Sequence, residues 1–339
     1  MNLEVWLATM VESTLFVGLS SLLLARGQRL YRSGLREAEL LAAHQKVLTP
    51  YLVEGGEPPH GGELNRQQRI ELVLRLSASL KGEVRQRIQH LAGHWGLLEE
   101  EQRALGSRQW WRRLGALRFF SALGQVPEGL EARLHDPHPL VRAEAIYMVP
   151  LEPNAERVER VVEELFHPAS PARFASQSVL RDLSSLALEP LQAWLTEPPE
   201  DTPSLDVALR TACAIAAPEL RPAALQHSHH PGPEVQAAAC QLLGAIGGEA
   251  SEVRLVEMLD GALPDAVRAA AAEALGHLSH WPAGPALARL LGEPDWTLRY
   301  QAAQALRALG PPGLLFLRQI AEQQEHAGAS LARLVLAQC

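Results

Sequence analysis

One arrangement recurs along this chain and limits what it can fold into. In Ala262 to Leu278, "ALPDAVRAAAAEALGHL", a turn with Pro and Asp leads to an apolar residue and then to Arg268. Ala271, Ala274, Leu275 and Leu278 follow three, six, seven and ten residues on, which is one face of an α-helix. The same frame returns around Arg299 in "EPDWTLRYQAAQALRALG", Arg142 in "DPHPLVRAEAIYMV", Arg173 in "HPASPARFASQSVLRDL" and Arg210 in "LDVALRTACAIAA". Upstream it fits Arg113 in "WWRRLGALRFFSALG" and Arg85 in "EVRQRIQHLAGHWG". Gln236 holds the arginine position in "GPEVQAAACQLLGAIGG", and Arg333 starts a weak last copy. From Arg85 to Arg299 the intervals are 28, 29, 31, 37, 26, 32 and 31 residues, about one helical hairpin each.

A first helix precedes each turn, as in "ASEVRLVEML" before Pro264 and "AERVERVVEELF" before Pro168. The longest interval contains "TEPPEDTPSLD", Thr196 to Asp206, which reads as a loop insertion. Hydrophobic residues make up 47% of the chain and aromatics only 5%, so the core must be built from Ala, Leu and Val, in helices rather than strands. Eight copies in register resemble the HEAT-repeat family in its shorter bacterial form, over about residues 64–339. Hairpins this short cannot bury an apolar face alone, so neighbours must stack into one core. The expected fold is all-α, an α-solenoid of about eight hairpins, preceded by an N-terminal transmembrane helix.

The resemblance implies a structural role for the column of Arg85, Arg113, Arg142, Arg173, Arg210, Arg268 and Arg299, bridging the turns of adjacent repeats. Glu83, Asp136, Asp206, Asp265 and Asp295 stand two to six residues before its members. A functional basic stripe is the other reading, and these accompanying acids weigh against it.

The repeat frame does not reach "MVESTLFVGLSSLLLARGQRLYR", Met10 to Arg32. Residues 3–25, at ~1.5 Å per residue, make a helix of about 34 Å, enough to cross a bilayer core of ~30 Å. Arg26, Arg29 and Arg32 follow the apolar run, and no Lys or Arg precedes it, so the N-terminus would be outside. The expectation is a single pass through the inner (cytoplasmic) membrane with the solenoid in the cytoplasm. Residues 1–26 would be the anchor, 27–63 a juxtamembrane amphipathic helix and hinge, and 64–339 the repeats. Glu12 is the cost of this reading, on the order of 3 kcal/mol. It is either a contact with a partner helix or a second copy of the chain, or a tolerated polar residue near the end of a displaced span. A buried soluble helix and a cleaved signal peptide are the rival readings of the segment.

Charge is uneven. Residues 1–120 carry 16 Lys and Arg against 12 Asp and Glu, whereas 121–339 carry 15 against 27. An acidic distal part argues against a nucleic-acid partner. Cys213, Cys240 and Cys339 form no metal or redox pattern and read as structural thiols. "HSHHP", His227 to His230 with Pro231, reads as a surface loop. HEAT-like enzymes that hold di-iron use His-Glu pairs, and this chain has no His-Glu dipeptide. No catalytic constellation is found, and no cofactor or metal is expected. Trp110 and Trp111 form a candidate contact patch. The functional expectation is a membrane-anchored scaffold or regulatory adaptor that binds a protein, itself membrane-associated. The alternative is a HEAT-like lyase, chromophore-handling protein or metal-dependent enzyme.

Overall fold

A computed structural model describes residues 39–338 apart from 63, 80–81, 199–203, 260 and 324. Among these residues every regular element is a helix. The chain divides into two compact units, residues up to 108 with 118–125, and residues 109–117 with 126–339.

The first unit holds α1 (39–54), α2 (Arg66–Ser79), α3 (Glu83–His94) and α4 (Leu97–Leu105), with the second half of α5 (Trp110–Leu123). Leu41, Leu48, Tyr51 and Leu52 share one face of α1 and pack in a cluster with Leu72, Val73, Ile88 and Leu91. The segment expected to be a juxtamembrane helix is therefore core in this unit. Arg87 closes the end of α1, its Nη1 donating to Leu52 O at 2.7 Å and Val53 O at 2.6 Å.

The second unit is a two-layer stack of hairpins. Its even layer is α6 (Leu130–Leu134), α8 (Ala155–Glu164), α10 (Ser184–Thr196), α12 (Arg221–His227), α14 (Glu249–Glu257), α16 (Gly284–Leu290) and α18 (Pro311–Glu322). Its odd layer is the start of α5, then α7 (Pro139–Met148), α9 (Pro171–Val179), α11 (Leu205–Ala212), α13 (Pro233–Ile246), α15 (Asp265–His277), α17 (Trp296–Ala308) and α19 (Ala329–Leu336). From α7 on, each odd helix packs on its hairpin mate, and α7 packs on α9, α11 on α13, α13 on α15, α15 on α17 and α17 on α19. The odd helices start sharply because proline opens α7, α9 and α13, and because Ser170 and Asp295 cap α9 and α17.

Alanine lets the odd layer pack tightly. Ala271, Ala274 and Leu275 on α15 are buried, and Ala302, Ala305 and Leu306 repeat the pattern on α17. Two glycines bring backbones closer still. A Cβ on Gly244 would lie 2.6 Å from Ala274 Cβ, and one on Gly276 would lie 2.8 Å from Ala305 Cα.

The expected placement as a single-pass inner-membrane protein does not hold. Among the described residues no helix is long and apolar enough to cross a membrane. Helices α2 to α19 run to 14 residues at most, about 21 Å, well short of ~30 Å. Residues 3–25, and with them Glu12, lie outside the described residues, so the anchor has no structural support.

Candidate protein-interaction surface

The arginine column forms a hydrogen-bonded ladder along one edge of the second unit. Arg113 pairs bidentately with Asp136, Nε to Oδ2 at 2.7 Å and Nη2 to Oδ1 at 2.6 Å, and both side chains are buried. Arg142 donates to the backbone oxygen of the same Asp136 at 3.0 Å and reaches buried Glu164 at 3.1 Å. Arg173 donates to His167 O and to Ser204 Oγ. Arg268 pairs with Asp265 at 3.0 Å and Glu293 at 2.7 Å, and Arg299 donates to Glu293 O at 2.8 Å.

A rule emerges at the position six residues before a column arginine. Its backbone oxygen accepts from its own arginine, in the cases of Asp136, His167 and Glu293. Its side chain accepts from the preceding arginine, in the cases of Asp136, Ser204 and Glu293. Arg210 departs from the rule and bonds Gln241 on α13 from the solvent side. Arg85 lies in the first unit, with Nη1 only 2.9 Å from where a Cβ on Gly124 would be. Of the acids noted beside the column, Glu83 faces Arg87, Asp206 faces Arg210 at 3.8 Å, and Asp295 caps Leu298 N rather than meeting Arg299.

With its edge filled by the ladder, the odd layer turns another face to solvent. Trp111, Leu140 and Pro171 stand two residues before Arg113, Arg142 and Arg173, at equivalent points on three successive helices, and all are exposed. Tyr147 and Leu151 continue the line of Leu140 at helical spacing, and Phe174 lies one turn past Pro171. Trp111 is 55% and Phe174 56% exposed, far more than large aromatics in a packed repeat need to be. Trp110 supports the patch from below. Its ring stacks on His138 at 4.0 Å with 4° between planes and meets Trp111 edge-on at 5.9 Å. The sequence singled out the tryptophan pair but not Leu140, which the common register joins to it, nor Tyr147 and Phe174, which stand at helical spacing from Leu140 and Pro171.

Other features are less suited to a site. A cleft of about 450 Å³ opens between α14 and α16, lined by Leu259, Leu290, Arg268, Arg289 and Glu293 among others, but Arg268 there is already neutralised by Asp265 and Glu293. Burial pushes the Cys240 thiol up to about 12 and Cys213 to about 11, so neither is a thiolate near neutrality. Among the described residues no group of His, Cys, Asp and Glu is placed to hold a metal ion.

The histidine loop needs a correction. His227 ends α12 and is buried, its Nε2–H donating to Leu195 O of α10 at 2.6 Å. Burial, then the hydrogen bond acting the other way, then nearby His230 leave its pKa below the ordinary 6.5. Because the unfolded chain binds that proton more readily, stability is present above the ordinary value and lost as pH falls through the folded one. Melting temperature between about pH 7 and pH 5 should fall in the natural protein, and His227→Gln should reduce that fall. Equal slopes for both proteins would contradict this.

The fold defines a helical-repeat protein, and residues 205–276 and 252–337 match HEAT repeats. Among solved structures, a multiply substituted Kap121p aligns over 85% of this chain and 38% of its own, at 13% identity and a TM-score of 0.58. Kap121p itself aligns over 79% and 40%, at 12% identity and 0.49. Human deoxyhypusine hydroxylase aligns over 80% and 96%, at 20% identity and 0.30. At such identities the likeness concerns fold alone. The chain spans about two fifths of the length of Kap121p. Among curated proteins, none matches the chain in sequence.

Proposed function

We propose that this protein is a binding scaffold whose partner protein seats on the solvent face of the odd layer, at Trp111, Leu140, Tyr147 and Phe174. One observation carries this reading: Trp111, Leu140 and Pro171 are exposed at the same register position on three successive odd helices, with exposed Tyr147 and Phe174 at helical spacing from the last two. Such anchors are where interface energy concentrates. The repeat fold is compatible with the role, and Kap121p has been solved bound to RanGTP and to Pho4p.

The test uses the intact chain in affinity capture with quantitative recovery. Trp111→Ala and Phe174→Ala should each weaken retention of the captured partner by roughly tenfold or more. Neither should lower the melting temperature, because neither side chain is core. Trp281→Ala serves as control, since Trp281 is 68% exposed but lies ahead of α16 in the even layer. Retention that tracks Trp281 instead, or is indifferent to all three, would move the site elsewhere.

A further inference from the structure

The charges left over around this face say what kind of segment it takes. Arg112, next to Trp111, is exposed, and among the described residues its guanidinium has no hydrogen bond or ion pair. The same holds for Arg181, in the turn that follows α9. Arg173 meets only neutral acceptors, His167 O and Ser204 Oγ, and its guanidinium lies 5.8 Å from the Phe174 ring. The carboxylates on this stretch are mostly engaged. Glu144 has a partner, and Glu152 is 3.8 Å from Arg157. Of the carboxylates on α5, α7, α9 and the turns that end them, Asp182 is left exposed and unpaired beside Arg181, whereas exposed Glu156 and Glu159 lie on α8 in the even layer.

Three arginines without a carboxylate against one free aspartate leave the aromatic face locally positive. The second unit as a whole carries 17 Lys and Arg against 27 Asp and Glu. A positive patch inside a negative body is selective, because at physiological salt only charges within about 8 Å count for a bound segment. Resting on the proposed binding face, we infer that its occupant is a protein segment in which apolar side chains alternate with carboxylates. The apolar groups would cover Trp111, Leu140, Tyr147 and Phe174, while the carboxylates meet Arg112, Arg173 and Arg181. Nucleic acid also favours arginine with aromatics, but a body with ten more acids than bases repels it at longer range.

The experiment selects a random displayed peptide library on the intact protein and measures resynthesised peptides by fluorescence anisotropy. A mixed-sequence single-stranded DNA oligonucleotide runs in parallel. Recovered peptides should be enriched in Asp and Glu with Leu or aromatic residues. They should bind at least about tenfold more weakly to the Arg112→Glu/Arg181→Glu protein, and weaken as salt is raised. Peptides enriched in Lys and Arg would overturn the inference, as would oligonucleotide binding that exceeds peptide binding. If Trp111→Ala and Phe174→Ala abolish binding but the charge reversals do not, the face stands and its acidic preference falls. If no recovered peptide depends on Trp111 and Phe174, the face itself falls and the inference with it.

Discussion

Replacing Asp136 by alanine should destabilise the protein by about 3–5 kcal/mol in urea unfolding, because it removes the bidentate partner of a buried charge. Arg113 would keep its burial and lose both oxygens of Asp136. Arg133 would lose its contact at 3.3 Å, and the amide of His138 its acceptor at 2.9 Å. The loss is local in space but not in sequence, since Asp136 joins two repeats. Its side chain takes Arg113 and its backbone oxygen takes Arg142. A control separates the ion pair from the position. Arg113→Met/Asp136→Leu should recover much of the loss, since an apolar pair does not leave a charge behind. If Asp136→Ala alone costs under about 1 kcal/mol, the ladder is not structural at this rung.

The same carboxylate carries a pH signature. Burial alone would raise its pKa, but hydrogen bonds from Arg113 and the His138 amide, with the charges of Arg113 and Arg133, hold it below 3.8. A folded pKa lower than the unfolded one gives stability that is present above the ordinary value and lost as pH falls through the folded one. Acid unfolding of Asp136→Ala should therefore be shallower below about pH 4 than that of the natural protein.

The ladder and the proposed binding face differ in how legible they were. The column arginines could be read from spacing, because seven of the eight copies from Arg85 to Arg299 spend the same residue type at the same register, Gln236 being the exception. The rung positions were read only in part. Asp136 was noted among nearby acids, but Ser204 and Glu293 hold the equivalent place with other chemistry, and His167 offers only its backbone there. A backbone oxygen leaves no trace in the sequence. The histidine loop misled for a related reason. Polar residues beside proline suggest a turn, yet His227 is still helical and faces the Leu195 carbonyl across the even layer. The expected membrane span rested on hydropathy outside the repeat frame and drew no support from any described helix. On the proposed binding face, Trp111 was visible with Trp110 as a dense aromatic pair. Phe174 was not, because its exposure depends on where α9 sits against its neighbours, and periodicity does not give that.

Gly276→Ala should also destabilise, against its helix propensity. In an exposed helix the substitution would gain about 1 kcal/mol. Here the new Cβ would stand 2.8 Å from Ala305 Cα and 3.0 Å from its Cβ. No rotamer can relieve a contact with backbone, so α15 and α17 would have to separate. Overpacking of this kind costs about 1–3 kcal/mol, and separating the helices also thins contacts along α17. Gly244, which faces Ala274, lies eight residues after Gln236, just as Gly276 lies eight after Arg268. The two interfaces are on opposite sides of α15, so Gly244→Ala and Gly276→Ala should act nearly additively, for roughly 2–6 kcal/mol together. Ala305→Gly should partly rescue Gly276→Ala but not Gly244→Ala. Rescue of both alike would mean the cost lies in the helix itself rather than in its approach to the next repeat. At the equivalent position the other copies carry Gly93, Ser121, Pro150, Arg181, Pro218 and Arg307, and a Cβ on Gly93 would meet only the Leu98 side chain, at 3.4 Å. The close approach is therefore confined to α13, α15 and α17. Between α13 and α15, where Gln236 interrupts the arginine column, backbone proximity takes the place of a rung, whereas α15 and α17 have both the Glu293 rung and the Gly276 approach.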